Sequence, residues 1–263
     1  MGTAILAGLM RRGVDASEVV ASTKTETTAS RLADEFGITA IATETNAAAN
    51  AEAVVDADIV LVAVKPGYVI EVLNEVAANL KPGSLVISVA AGITTAAMQA
   101  AVADNVAVVR AMPNTPAIVG RAVTGLAAGS RVTSEQLATA SELFESVGRV
   151  VVVGEDQIDQ LSTVSGSGPA YVFYFIEEFT KAAVELGFTP DQARMLVEET
   201  FLGASELLAA SGKTPADLRR QVTSPNGTTM QAIAVFEQAN LHELFGRATA
   251  AALARAREIA EGK

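Results

Sequence analysis

The spacing of apolar positions divides the chain in two. Up to Gly154, short apolar runs alternate with segments of helical period; from Glu155 onward only the helical period remains. Runs at 19–22, 38–41, 59–64, 85–89, 106–110, 122–127 and 149–153 predict strands. Between them, helices are expected over 27–36, 50–55, 69–80, 94–102 and 134–146, with another over the opening residues 1–10. Gly37 and the Lys81-Pro82-Gly83 triplet mark stops, and Thr133-Ser134 marks a start. The unbroken run 59–64, rich in β-branched residues, reads as the most buried strand, covered on both faces. Strands alternating with helices imply a parallel sheet between helical layers. The second half predicts helices over 171–186, 190–210, 215–221, 227–238 and 241–261, with Pro190 and Pro215 placed where proline starts helices. The expected domains are therefore 1–154 and 155–263.

Composition narrows the function. A chain of 263 residues suits two domains of about 100–200 residues each. Its net charge of 19 − 30 = −11 argues against nucleic acid or an anionic membrane as partner. Without cysteine, and with His242 as the only histidine, thiolate chemistry, disulfides and Cys- or His-based metal sites are excluded, and no metal is expected. His242 itself reads as a structural or surface residue. No apolar run reaches the length of a membrane span. Arg11-Arg12 follow the apolar opening instead of preceding it, the wrong order for a signal peptide, so the expected location is the cytoplasm. Phe173-Tyr174-Phe175 reads as core or an oligomer face.

An α/β half followed by a helical half suits a dinucleotide enzyme, with the cofactor lying across the strand C-termini. Three successive strand ends carry small or rigid residues: Ala63-Val64-Lys65-Pro66, Ala90-Ala91-Gly92 and Met112-Pro113-Asn114-Thr115-Pro116. Lys65 is equally readable as a solvated edge charge. The glycine fingerprint G-x-G-x-x-G is absent. Gly2 could stand in for its third glycine, which permits close packing of helix on strand, or be merely a small residue near the chain start. Ser22, Thr23 and Lys24 offer two hydroxyls and a cation after the first strand. That suits a 2′-phosphate, hence NADPH, with NADH as the alternative.

In the helical half, 224–229 (Ser-Pro-Asn-Gly-Thr-Thr) ends one helical pattern and opens another. A helix start of this kind leaves N–H groups unpaired at the positive end of the macrodipole, a site for a small carboxylate beside the Thr229 hydroxyl. Ser165-Gly166-Ser167-Gly168-Pro169 precedes a further helix without following a strand. It reads either as a second anion-friendly helix start or as a closely packed helix–helix turn.

These blocks, with residues 222–237, resemble the pyrroline-5-carboxylate reductase family over essentially the whole length. The resemblance implies a Rossmann-type doubly wound, mostly parallel sheet followed by an all-helical dimerisation domain. It also implies NAD(P)H-dependent reduction of 1-pyrroline-5-carboxylate, a cyclic imino acid, to L-proline. Ser224 and the N–H groups of Gly227, Thr228 and Thr229 would take the substrate carboxylate, and the Thr229 hydroxyl, as the catalytic group, the ring nitrogen. Asn50, Ala63, Lys65, Pro66, Met112 and Asn114 would line the cofactor, with Ser22, Thr23 and Lys24 near its 2′-phosphate. Gly166, Ser167, Gly168 and Pro169 would wall the site near a homodimer interface, and decamers of five dimers are a further assembly. Two departures stand out. Asn226 replaces a frequent glycine, tolerable because Asn accepts positive φ. The family's first strand and first glycines precede the position of Met1, so weak NADPH binding or poor folding is expected of the chain as written. The competing readings are a 3-hydroxy acid dehydrogenase using Lys181, and an inactive, truncated oligomeric scaffold.

Overall fold

The computed structural model describes residues 1–260; the last residue of the helix expected over 241–261, and the last three of the domain expected over 155–263, lie outside the described residues. The chain divides into two units, Met1–Ser167 joined by the chain from Leu253 on, and Gly168–Ala252.

The first unit alternates helices and strands: α1 (Gly2–Arg11), β1 (Val20–Thr23), α2 (Glu26–Phe36), β2 (Thr39–Ala42), α3 (Ala49–Val54), β3 (Ile59–Val62), α4 (Val69–Val76), β4 (Leu85–Ser88), α5 (Thr95–Ala100), β5 (Ala107–Met112), β6 (Ala122–Ala128), α6 (Ser134–Glu145), β7 (Gly148–Val152) and α7 (Glu155–Leu161). Threonine hydroxyls at 25, 94 and 133 cap α2, α5 and α6, accepting from first-turn N–H groups. Gly37 closes α2 at φ 70°.

Strands β3 to β7 form one sheet in chain order, and β1 and β2 form a separate parallel pair. Ile59 stands opposite Leu85, and Leu85 opposite Ala107, all parallel, so the C-terminal ends of β3, β4 and β5 share one edge. Alternate residues of β4 and β5 serve two cores, as the period of two requires. Leu85, Ile87, Ala107 and Val109 pack with Ile5, Phe144 and Val147. Val86 and Val108 pack on the other face with Val69, Leu73, Val76 and Met98. Helix α1 joins the two sheets, with Ile5 in the large core and Leu6 against Leu32 and Ile38. A Cβ at Gly8 would lie 2.5 Å from Val147 Cγ1, so α1 sits too close to the entry of β7 for any side chain there.

One expectation is corrected. The run 59–64 is not the most buried strand: β3 spans only Ile59–Val62, mostly half-buried, whereas β4 is buried throughout. The reason is that β3 is an edge strand. The sheet is mostly parallel, with β6 antiparallel to β5. Only residues 113–121 join them, built on a 3₁₀ turn at Thr115–Val119, too short for a parallel crossover. By its contacts the sheet-bearing unit runs on to Ser167. Helix α7 packs on β5 and β6 with Ile158 fully buried, and runs into a π-helical turn at Ser162–Gly166.

The second unit consists of α8 (Gly168–Glu185), α9 (Pro190–Ser211), α10 (Pro215–Gln221), α11 (Thr228–Gln238) and the start of α12 (Leu241–Ala260). Thr189 and Thr214 cap α9 and α10 directly before Pro190 and Pro215. The unit's own buried core is small: Ala183, Ala193 and Val197, with Ile176 and Phe201 against them. Phe173, Tyr174, Phe179, Leu202 and Leu207 are each more than half exposed. Among the described residues no helix is long and apolar enough to cross a membrane.

Candidate functional site

The shared edge of β3, β4 and β5 carries the cofactor candidates. Ala63, Val64, Lys65 and Pro66 are exposed past β3, as is Ala91 past β4, where Gly92 turns the chain at φ 77°. Gly2, at the first turn of α1, abuts this edge: a Cβ there would lie 3.0 Å from the Ala63 Cβ. That is a close approach of helix to strand end, which a glycine permits. Met112 is half-buried, and Pro113 and Asn114 are buried. The Asn114 amide is engaged inside the unit: Nδ2 donates to the Ser165 carbonyl and Oδ1 accepts from the Val123 N–H, both at 2.9 Å. Asn50 is similarly tied, its Nδ2 donating to the Glu75 carboxylate at 2.9 Å.

At the end of β1, Ser22 and Lys24 are exposed, while the Thr23 hydroxyl donates to the Thr25 carbonyl at 3.0 Å. The first N–H of α2, at Glu26, donates to the Glu44 carboxylate at 3.0 Å. A phosphate here would therefore rely on Ser22 and Lys24. If Lys24 meets the 2′-phosphate, Lys24→Ala raises KM for NADPH about tenfold, one charge-assisted contact, and leaves KM for NADH within about twofold. Steady-state kinetics with both donors check this.

In the second unit, 224–227 forms a tight turn. The Gly227 N–H donates to the Ser224 carbonyl at 3.0 Å, and Asn226 takes φ 60°. Proline at the second turn position and a left-handed residue at the third match a type II turn. The positive φ at Asn226 is the conformation for which Asn substitutes for Gly. Gly227 is the N-cap of α11, and no side chain caps the helix. Because the Gly227 N–H is spent within the turn, the groups left for an anion are the N–H groups of Thr228 and Thr229, with the half-buried Thr229 and exposed Ser224 hydroxyls beside them.

The stretch 165–169 is not a free helix start. Helical backbone reaches it from α7, with the Ser167 N–H donating to the Ser162 carbonyl at 2.8 Å. A Cβ at Gly166 would lie 3.1 Å from Met112 Cε, so this turn lies against the end of β5. Lys181, the acid–base candidate of the dehydrogenase reading, is an exposed ion-pair residue, its ammonium donating to Glu177 and Glu178 at 2.7 Å each. Those two bonds push its pKa well up, away from what a proton-transfer lysine needs. His242 is exposed on α12.

Sequence reasoning missed Arg110, Glu155 and Asp159. Arg110, 3 % exposed on β5, donates to Glu155 Oε1 at 2.8 Å and to Asp159 Oδ1 at 2.6 Å. An arginine inside an otherwise apolar strand was the available signal, since a buried guanidinium must have carboxylate partners.

Comparison with known proteins assigns a different family model to each half of the chain. A family model described as pyrroline-5-carboxylate reductase dimerisation matches residues 155–259, and one described as NADP oxidoreductase, coenzyme F420-dependent, matches residues 1–92. The pyrroline-5-carboxylate reductase of Pseudomonas aeruginosa is 39% identical over 262 residues, covering 99% of this chain and 94% of the relative. That of Escherichia coli is 38% identical over 240 residues, covering 90% and 87%. Among solved structures, the Coxiella burnetii pyrroline-5-carboxylate reductase superposes with a TM-score of 0.92 at 37% identity, covering 98% of this chain and 94% of that one. The Plasmodium falciparum pyrroline carboxylate reductase, solved with NADP bound, gives 0.81 at 25% identity, covering 99% and 94%.

Proposed function

The chain belongs to the pyrroline-5-carboxylate reductase family, and from that premise we propose that it reduces 1-pyrroline-5-carboxylate to L-proline with NADPH, NADH being the alternative donor. The observation that carries the reading is the uncapped start of α11 behind the turn 224–227, a binding geometry for a small carboxylate that needs no charged side chain.

The strand-end edge fits a dinucleotide: small residues at Ala63, Ala91 and Gly92 leave its backbone approachable, and Gly2 keeps α1 close without a side chain in the way. Held at that edge, NADPH would supply the hydride that the carbon of the protonated cyclic C=N bond takes up. The chain's own residues bind and orient. The N–H groups of Thr228 and Thr229, with the Ser224 hydroxyl, hold the substrate carboxylate. The Thr229 hydroxyl oxygen accepts from the iminium N–H⁺ and so fixes which face of the imine is presented. A protonated imine is already electrophilic, so positioning carries the catalysis and no strong acid is required. The direct test offers the chain pyrroline-5-carboxylate with NADPH, and separately 3-hydroxy acids with NADP⁺. Nicotinamide oxidation with the imine alone supports the reading; turnover of the hydroxy acids alone overturns it.

The helical segment matched as a dimerisation region makes a homo-oligomer the form in which the apolar surface of α8 and α9 is covered. We take the dimer as its unit, five dimers as the larger assembly, and the cytoplasm as its location. Leu202→Asp and Phe173→Asp each place a charge on that surface. Both are expected to shift the sedimenting species to monomer or aggregate, since each side chain contributes about 1.5–3 kcal/mol when buried. An unchanged oligomer in both variants would place the interface elsewhere.

A further inference from the structure

Two side chains of β5 and the loop after it hold the π-helical turn at Ser162–Gly166 and the helix leading into it: Asn114 grips the turn itself, and Arg110 grips α7 one to two turns before it. Glu155 and Asp159 lie one turn apart on α7 and so share a face. The buried Arg110 guanidinium reaches both, at 2.8 and 2.6 Å, and Glu155 also accepts from the Thr95 N–H at the start of α5, at 3.4 Å. Four residues further along β5 and its loop, Asn114 bridges the β6 N–H of Val123 to the Ser165 carbonyl within the turn. The packing is tight on the same side: a Cβ at Gly125 on β6 would lie 2.5 Å from Leu161 Cδ1, and one at Gly166 would lie 3.1 Å from Met112 Cε.

A π-helical turn has poorer intrinsic geometry than α-helix and needs such support. A buried arginine between two carboxylates adds little net stability, because desolvation offsets the attraction. What it does define is the rotation of α7, because a planar fork accepts the two carboxylates in one arrangement. We propose that Arg110 and Asn114 are positioning residues: together they latch the π-helical turn onto the ends of β5 and β6 and so set Met112, Ser165 and Gly166 in the register that hydride transfer requires. The catalytic consequence rests on the functional reading above; the latch itself does not.

The test uses Arg110→Lys, which keeps the charge but not the fork, and Asn114→Asp, which keeps the acceptor for Val123 but loses the donor to Ser165. Amide hydrogen exchange is followed over residues 161–168, with β4 as internal reference, beside steady-state kinetics. In each variant, exchange over 161–168 is expected to quicken about tenfold while β4 stays as protected as in the unsubstituted chain. In Arg110→Lys, kcat falls about tenfold with both KM values within about threefold. Unchanged exchange over 161–168 in both variants overturns the latch, and so does an equal loss of protection in β4, which would mark a merely structural role. Absence of pyrroline-5-carboxylate turnover in the unsubstituted chain would instead sink the functional reading, and the exchange comparison would still decide the latch.

Discussion

Replacing Thr229 by alanine is expected to lower kcat for pyrroline-5-carboxylate about a hundredfold, with KM for NADPH within about twofold. The magnitude is that of removing one aligned hydrogen-bonding group from a reacting centre. Thr229 is the second residue of α11, half-buried, and its helix has Gly227 rather than a threonine as cap. The hydroxyl therefore does no capping work, and its loss leaves helix stability within about 0.5 kcal/mol. Thr229→Ser keeps the hydroxyl and is expected to recover activity to within about tenfold. Thermal melting measured alongside the kinetics separates the two effects. An unchanged kcat in Thr229→Ala would remove the residue from the mechanism.

The second large effect is expected at Gly227. Its φ of −78° suits any residue, so backbone strain is not the issue. A Cβ there would lie 2.4 Å from Ser224 Oγ and 3.1 Å from the Ser224 carbonyl oxygen. Either the serine rotates away, taking its hydroxyl out of the carboxylate site, or the turn opens and shifts the Thr228 and Thr229 N–H groups. Both routes weaken a charge-assisted bond of about 1.5–3 kcal/mol. Gly227→Ala should thus lower kcat/KM for the imine about thirtyfold, mostly through KM, and leave NADPH binding alone. Asn226→Gly, one position earlier, removes only the small strain of φ 60° and should change kcat/KM less than about twofold.

The helical half was legible because its stops and starts are chemical. Thr189-Pro190 and Thr214-Pro215 carry a capping hydroxyl followed by a fixed φ, and the helices begin there. The turn 224–227 was legible for the same reason, with Pro225 and Asn226 each matching one backbone requirement and Gly227 leaving room beside Ser224. The spending of the Gly227 N–H on Ser224 was not, since a turn bond leaves no mark on residue type. Edge against centre was invisible in the run 59–64, because β-branched spacing reports a strand and not its neighbours. The antiparallel β6 followed from the length of its connection rather than from its own pattern. Helix α7 is short and its partner lies on β5, 45 residues earlier at Arg110; a local period could not announce it. Asn114 read as a cofactor contact from its place at a strand end, and the structure adds what position cannot show, that its amide already joins β6 to Ser165.

The central claim, hydride transfer to the imine carbon of a substrate held at α11, is tested most directly with NADPH carrying deuterium at the transferred C4 position. The chain is incubated with this donor and pyrroline-5-carboxylate, and the product is read by mass spectrometry and proton NMR. The account expects L-proline one mass unit heavier, labelled at the δ-carbon, formed about a hundredfold more slowly by Thr229→Ala. Unlabelled proline, label at another carbon, or no proline at all would contradict it.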